Sequence, residues 1–494
     1  MRSSLLVLPL SLVVACTDAP STNVDATTVD VSQDASDTGA VDTARDALPE
    51  ASAASCVVPS VRLGDAMEAR ALAQSPARCG QAAHTWLNDP ELGRVTGTGA
   101  HANYTAAVLQ ALATAGNINL PVPLSRDVTV DQISYVTQDR GRRVEATTLV
   151  AYPRNLPTRA DFEVLLVLHG TSGFNDACAP STSTDARALG AALASTGYVV
   201  VAPDYIGLRA FGGSTGFPHP YLVGTATAMA SLDAVRAGLR HIAAQSPDVC
   251  ARPRYVAFGG SQGGHAALWV DRIGRWYAPE LELVGTVATV PPADLIAEAD
   301  RALQMTVPAT ANMAAFFTVT APWYGLEGRL GEVFNAPWAA DLPRLLATSC
   351  SPDVRSLTRE ALFTPTLLAA GASTSGIRGL DPWGCLAAEN SLLATSVPRA
   401  GSTTQGYGIL WVLGEQDQLV NTPIERASFQ TLCRAGYRMQ YLECLGATHT
   451  RATTWALPEI LDFARARFDG RPLDAAATCV VNVATRCRAT PAGM

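Results

Sequence analysis

Gly259-Gly260-Ser261-Gln262-Gly263-Gly264 follows the apolar run Tyr255-Val256-Ala257-Phe258 and leads into a stretch patterned as a helix, from 262 to about 277. A serine on a sharp strand-to-helix turn sits on strained backbone and needs small neighbours. Gly259 and Gly263 remove the side chains that would collide there. The helix N-terminus directs backbone N–H groups at negative charge growing beside the hydroxyl. Gly212-Gly213-Ser214-Thr215-Gly216 has the same G-x-S-x-G spacing. No strand precedes that copy, and Pro218 and Pro220 forbid a helix after it. It reads as a loop, so context selects Ser261.

A serine hydroxyl becomes a nucleophile when a base takes its proton, and the base needs a third group to orient it. Where the serine sits on such a turn, the order along the chain is serine, acid, histidine. His449 is the one histidine beyond the helix after Ser261, in a loop after the strand-like run 437–444. The acid belongs one strand earlier, where 407–413 runs into Gly414-Glu415-Gln416-Asp417. Asp417 is the first choice and Glu415, longer and nearer the strand end, the alternative. The backbone N–H of Gln262 is the expected first oxyanion donor. The second comes from the loop after an earlier strand, here Thr171 in His169-Gly170-Thr171.

The remaining histidines read differently. His265 lies on the helix after Ser261 and reads as helix packing, His219 between two prolines as loop, and His169 as structural. His84, His101 and His241 have no catalytic spacing. No His/Cys/Asp cluster has metal-ligand spacing and no glycine loop resembles a phosphate cradle, so neither metal nor cofactor is expected.

Apolar runs alternate with helical patterns on both sides of the serine. Strands are expected at 127–136, 143–152, 164–168, 198–202 and 283–290, with helices at 185–196 and 222–244. This predicts an α/β fold, a mostly parallel central sheet with helices on both faces. After Pro291-Pro292 the alternation stops until about Tyr407. The expected division is an N-terminal extension at 56–125 and a core at 126–292 and 405–470. A mainly helical cap is inserted at 293–404, and a disulfide-stapled tail spans 471–494. Phe316, Phe317, Trp323 and Tyr324 (with Met313) gather apolar surface in the cap. They form either its own core or a wall for an acyl group.

The N-terminus is of another kind. Leu5 to Val14 is too short to span a bilayer and reads as an export signal, residues 1–15. Val13-Val14-Ala15-Cys16 resembles a bacterial lipobox, with Cys16 the lipidated residue. Residues 16–55 form an acidic Ala/Ser/Thr/Asp-rich tether, and residues 17–55 hold seven Asp, one Glu and one Arg. That accounts for most of the chain's net charge of −8, so the folded body is near neutral and nucleic acid is not an expected partner. A lipid anchor is the expected membrane contact, with the outer membrane favoured; the alternative is an ordinary signal peptide, a chance cysteine at 16 and a secreted protein. Setting Cys16 aside leaves ten of eleven cysteines, an even number that suggests disulfides in an exported protein. Sequence neighbours such as Cys433 with Cys444 and Cys479 with Cys487 are the expected pairs.

Taken together, His169-Gly170-Thr171, Ala202-Pro203-Asp204-Tyr205, the Gly-Gly-Ser-Gln-Gly-Gly turn, His219-Pro220-Tyr221 and the inserted cap carry a resemblance over about residues 80 to 470. The chain resembles an α/β-hydrolase of the secretory lipase family, the Candida antarctica lipase A-like group, here in bacterial lipoprotein form. The resemblance implies hydrolysis of a small-molecule or lipid ester by a Ser-Asp-His triad, carried onto Ser261, Asp417 and His449. Two other readings stay open, a serine peptidase on the same scaffold and a non-catalytic surface-anchored binding lipoprotein.

Overall fold

The computed structural model describes residues 56–63, 74–75, 79–81, 84–116, 120–351, 354 and 356–493. The expected export signal, the expected lipidation site Cys16 and the expected acidic tether lie outside the described residues.

Nine strands form one sheet. They are β1 (Val95–Tyr104), β2 (Val128–Asp139), β3 (Arg142–Pro153), β4 (Ala160–Leu168), β5 (Val199–Pro203), β6 (Val249–Gly260), β7 (Glu282–Thr289), β8 (Ile409–Gly414) and β9 (Met439–Cys444). Their order across the sheet is β9-β8-β7-β6-β4-β5-β3-β2-β1. From β9 to β5 all neighbours are parallel, and β3, β2 and β1 continue the sheet antiparallel. The expected α/β architecture with a mostly parallel sheet is therefore present. Val199, Val200 and Val201 are fully buried, because helices cover both faces of a parallel sheet. Asp139-Arg140-Gly141-Arg142 joins β2 to β3 with positive φ at Arg140 (48°) and Gly141 (71°), the backbone of a tight two-residue hairpin.

Among the described residues, four α-helices precede β7: α1 (Ala106–Ala115), α2 (Thr184–Ser195), α3 (Gly224–Gln245) and α4 (Gln262–Tyr277). Between β7 and β8 the chain forms α5 (Leu295–Gln304), α6 (Ala309–Tyr324), α7 (Trp338–Thr348), α8 (Arg359–Leu362), α9 (Pro365–Gly371) and α10 (Trp383–Asn390). This insertion adds no strand to the sheet. Then come α11 (Thr422–Arg434), α12 (His449–Trp455) and α13 (Leu457–Phe468).

Two features depart from the sequence pattern. β1 was not legible, because VTGTGAHANY has no apolar run and pairs with β2 through two irregular steps. The cysteine pairing is also corrected. Cys433 bonds Cys479 and Cys444 bonds Cys487, not the sequence neighbours; Cys56–Cys250, Cys79–Cys385 and Cys178–Cys350 complete the set. The cause is the path of the C-terminal tail, which runs along the edge strand β9. Cys479 N–H donates to Met439 O at 2.7 Å, and Thr485 N–H to Glu443 O at 2.9 Å. That path carries Cys479 to α11 and Cys487 to the end of β9, and it covers an edge that would otherwise invite pairing.

Candidate active site

Parallel strands bring their C-terminal ends to one rim, where loops present side chains and α/β sheets bind their ligands. Four of the expected residues leave that rim. Thr171 follows β4, Ser261 follows β6, Asp417 follows β8 and His449 follows β9.

Ser261 has φ 57° and ψ −121°, a conformation a non-glycine residue holds only when its surroundings over-determine it. Those surroundings are explicit. A Cβ at Gly259 would lie 2.2 Å from Gly263 O, and a Cβ at Gly263 would lie 1.9 Å from Leu168 O. Both glycines are needed because strand β6, helix α4 and the end of β4 converge there. Ser261 N–H donates to Thr289 O at 2.9 Å, tying the turn to the end of β7.

His449 opens α12, and its Nδ1 lies 2.7 Å from Oδ2 of Asp417. The other carboxylate oxygen of Asp417 accepts Leu419 N–H at 2.9 Å and Val420 N–H at 3.1 Å. The Asp417 carboxylate is thus fixed by its own turn while it faces the imidazole. Glu415 points elsewhere: it is exposed and accepts Gly446 N–H at 2.8 Å. One helical turn after His449, Thr453 Oγ1 sits 2.5 Å from Thr289 Oγ1. Thr453 is also a near neighbour of Gly260. Since i and i+4 share a helix face, Thr453 docks the His449 face of α12 beside the serine turn.

The loop after β4 is held from behind. His169 stacks on Tyr205 at 4.1 Å, and Tyr205 O–H donates to His169 O at 3.1 Å. Asp204 is buried and accepts Ser181 N–H (2.8 Å), Ser181 O–H (2.6 Å) and Thr147 O–H (2.7 Å). Burial lifts its carboxyl to about 7 against those bonds. The Ala202-Pro203-Asp204-Tyr205 segment is therefore scaffolding for the Thr171 loop. Thr171 Oγ1 and Tyr221 OH are 2.9 Å apart, and Asn312 on α6 donates its side-chain amide to the same Tyr221 oxygen at 3.1 Å.

Burial lowers three other histidines: His169 to about 4, His219 to about 3 and His265 to about 4. Each is neutral at neutral pH and uses its ring in structure. His265 Nε2 lies 2.8 Å from Asn390 O, joining α4 to the insertion as helix packing. His219 Nδ1 lies 2.8 Å from Ile206 O, and its Nε2 lies 2.6 Å from Nε2 of Gln262. Nδ1 therefore carries the proton for Ile206, and Nε2 accepts from the Gln262 amide. Sequence reasoning missed this support for Gln262, and it missed Thr453. The signals were there: His219 belongs to the His-Pro-Tyr segment, and Thr453 stands four residues after His449.

Phe316, Phe317, Trp323 and Tyr324 of the insertion are buried. Phe316 packs on Phe317, which meets Trp383 edge-on. Trp323 N–H donates to Asp139 at 2.9 Å, and Tyr324 OH accepts the Asn390 amide at 2.8 Å. Trp323 and Tyr324 line a cleft of about 650 Å³ with Phe217, Arg140 and Arg142. Among the described residues no group of His, Cys, Asp and Glu could hold a metal ion.

Comparison with known proteins agrees with this architecture. Residues 176–475, more than half of the chain, match the family described as secretory lipase. No curated protein sequence matches. Among solved structures, the ligand-bound rice cell wall degrading esterase LipA from Xanthomonas oryzae is 20% identical, with a TM-score of 0.63 over 77% of this chain and 98% of that one. A putative hydrolase from Legionella pneumophila is 19% identical, with a TM-score of 0.61 over 76% of this chain and 100% of its own. Candida antarctica lipase A in its closed state is 17% identical, with a TM-score of 0.57 over 87% and 91%. At those identities the structures share the fold. The family match goes further: this chain belongs to the secretory lipase family.

Proposed function

We propose that this chain is a serine carboxylic-ester hydrolase, a lipase or esterase, that works through an acyl-enzyme on Ser261. The observation that carries the reading is the 2.7 Å contact between buried Asp417 and His449, on a helix docked by Thr453 against the strained serine turn. Ser261 Oγ attacks the ester carbonyl carbon while Nε2 of His449 takes its proton. Asp417 holds Nδ1–H and stabilises the imidazolium as it forms. The N–H groups of Gln262 and Thr171 hold the oxyanion, each worth about 3 kcal/mol of barrier. His449 then protonates the departing alcohol, and water, activated by the same imidazole, releases the acid.

The insertion between β7 and β8 is the cap over this site, and Phe316 and Phe317, buried against Trp383, form its own core. Five disulfides among the described residues and membership of a secretory family support export. Cys16 is the lipid attachment point and the outer membrane the destination.

The same three side chains could cleave an amide, so substrate comparison is the test. The enzyme is expected to hydrolyse p-nitrophenyl esters and to leave aminoacyl p-nitroanilides intact. Turnover of the anilides at rates matching the esters would replace the esterase by a peptidase.

A further inference from the structure

The loop that presents Asp417 is gripped from outside the core. Helix α5, the first of the insertion, carries Glu298 and Arg301 one turn apart, joined by an ion pair of 2.9 Å. Arg301 donates through Nη2 to Gln418 O at 2.6 Å and through Nη1 to Leu419 O at 3.3 Å. Glu298 Oε1 accepts the N–H of Asn421 at 2.6 Å. Asp417 itself takes the N–H groups of Leu419 and Val420. Every residue from 418 to 421 thus has a backbone group held either by Asp417 or by this pair.

The grip is reciprocal. Asn421 is the N-cap of α11, and Glu425 on α11 reaches back to the start of α5, accepting Ala293 N–H at 3.0 Å and Asp294 N–H at 3.4 Å. Asp294 is in turn the N-cap of α5. Two helix starts, one in the insertion and one behind the acid turn, therefore exchange glutamates. Both glutamates are buried. Burial raises the Glu425 carboxyl, and Glu298 and Asp294 raise it further. A guanidinium suits this place because its planar fork serves two carbonyls and a carboxylate together.

We infer that Arg301, with Glu298, is a positioning residue for the reaction: it holds the 418–421 turn so that the Asp417 carboxylate stays aligned on His449, and so couples the insertion to catalysis. The inference rests on the triad reading above. A displaced carboxylate weakens a step that depends on alignment rather than on substrate affinity. Its signature is a fall in kcat with KM unchanged.

Arg301→Met keeps the stem and removes the fork, and Arg301→Lys keeps the charge in case the first variant does not fold. The measurement is p-nitrophenyl ester kinetics, with kcat expressed per site titrated by a fluorophosphonate. Arg301→Met is expected to lower kcat per titrated site about tenfold or more, and Arg301→Lys less, both with KM unchanged. In an Asp417→Ala background, Arg301→Met should change nothing further, because the group it aligns is gone. Wild-type kcat per site in Arg301→Met, or in Arg301→Lys where Arg301→Met does not fold, or a full additional loss in the Asp417→Ala background, overturns the inference. Full activity of Ser261→Ala, run alongside, overturns the triad itself and is a separate result.

Discussion

Ser261→Ala is expected to lower kcat/KM for a p-nitrophenyl ester by roughly 10⁶-fold, the scale seen when the nucleophile of a serine triad is removed. The fold should survive intact. Alanine meets the same positive φ as serine, so the backbone strain at 57° is no greater. The turn is held by Ser261 N–H on Thr289 O and by Gly259 and Gly263, none of which uses the hydroxyl. An unchanged thermal transition together with lost turnover separates chemistry from folding. Any activity left reflects binding and the oxyanion donors, which alone give roughly 10³–10⁴ over water.

Asp417→Asn is expected to lower kcat by roughly 10⁴-fold, with the structure again preserved. The turn side of the asparagine, its carbonyl oxygen, can still accept Leu419 N–H and Val420 N–H. The other arm becomes an NH₂ facing Nδ1 of His449. The imidazole then has to accept at Nδ1 and carry its proton on Nε2, the wrong tautomer for taking a proton from Ser261. Glu415→Gln is the matched control. Its side-chain oxygen still accepts Gly446 N–H, so kcat is expected to stay within about twofold, as for a surface substitution that keeps its hydrogen bond. Parallel kinetics on both variants decide between the two carboxylates. A large loss in Glu415→Gln with none in Asp417→Asn would reverse the assignment.

Much of this was legible in the chain because the signals are local. An apolar run, a glycine pair flanking a serine and a helical pattern specify a strand, a turn and a helix with no help from distant residues. The buried parallel strands are continuous apolar runs, and the insertion announces itself by the loss of alternation after Pro292. The order serine, acid, histidine then narrowed the partners to Asp417 or Glu415 and His449. What could not be read depends on three-dimensional closure. β1 has no apolar pattern and is recruited by β2 as an edge. The pairing of Cys433 with Cys479 follows the path of the tail along β9, which spacing does not reveal. The exchange of Glu298 and Glu425 between two helix starts joins residues more than 100 positions apart.

The most direct measurement is to treat the wild-type protein with a fluorophosphonate and locate the adduct by peptide mass spectrometry. One phosphonyl group on the peptide carrying Ser261, with ester turnover lost in proportion, is the expected result. The His449→Ala variant should label far more slowly. An enzyme that still cleaves esters with Ser261 unmodified, or whose inactivating adduct maps to Ser214 or another serine, would contradict it.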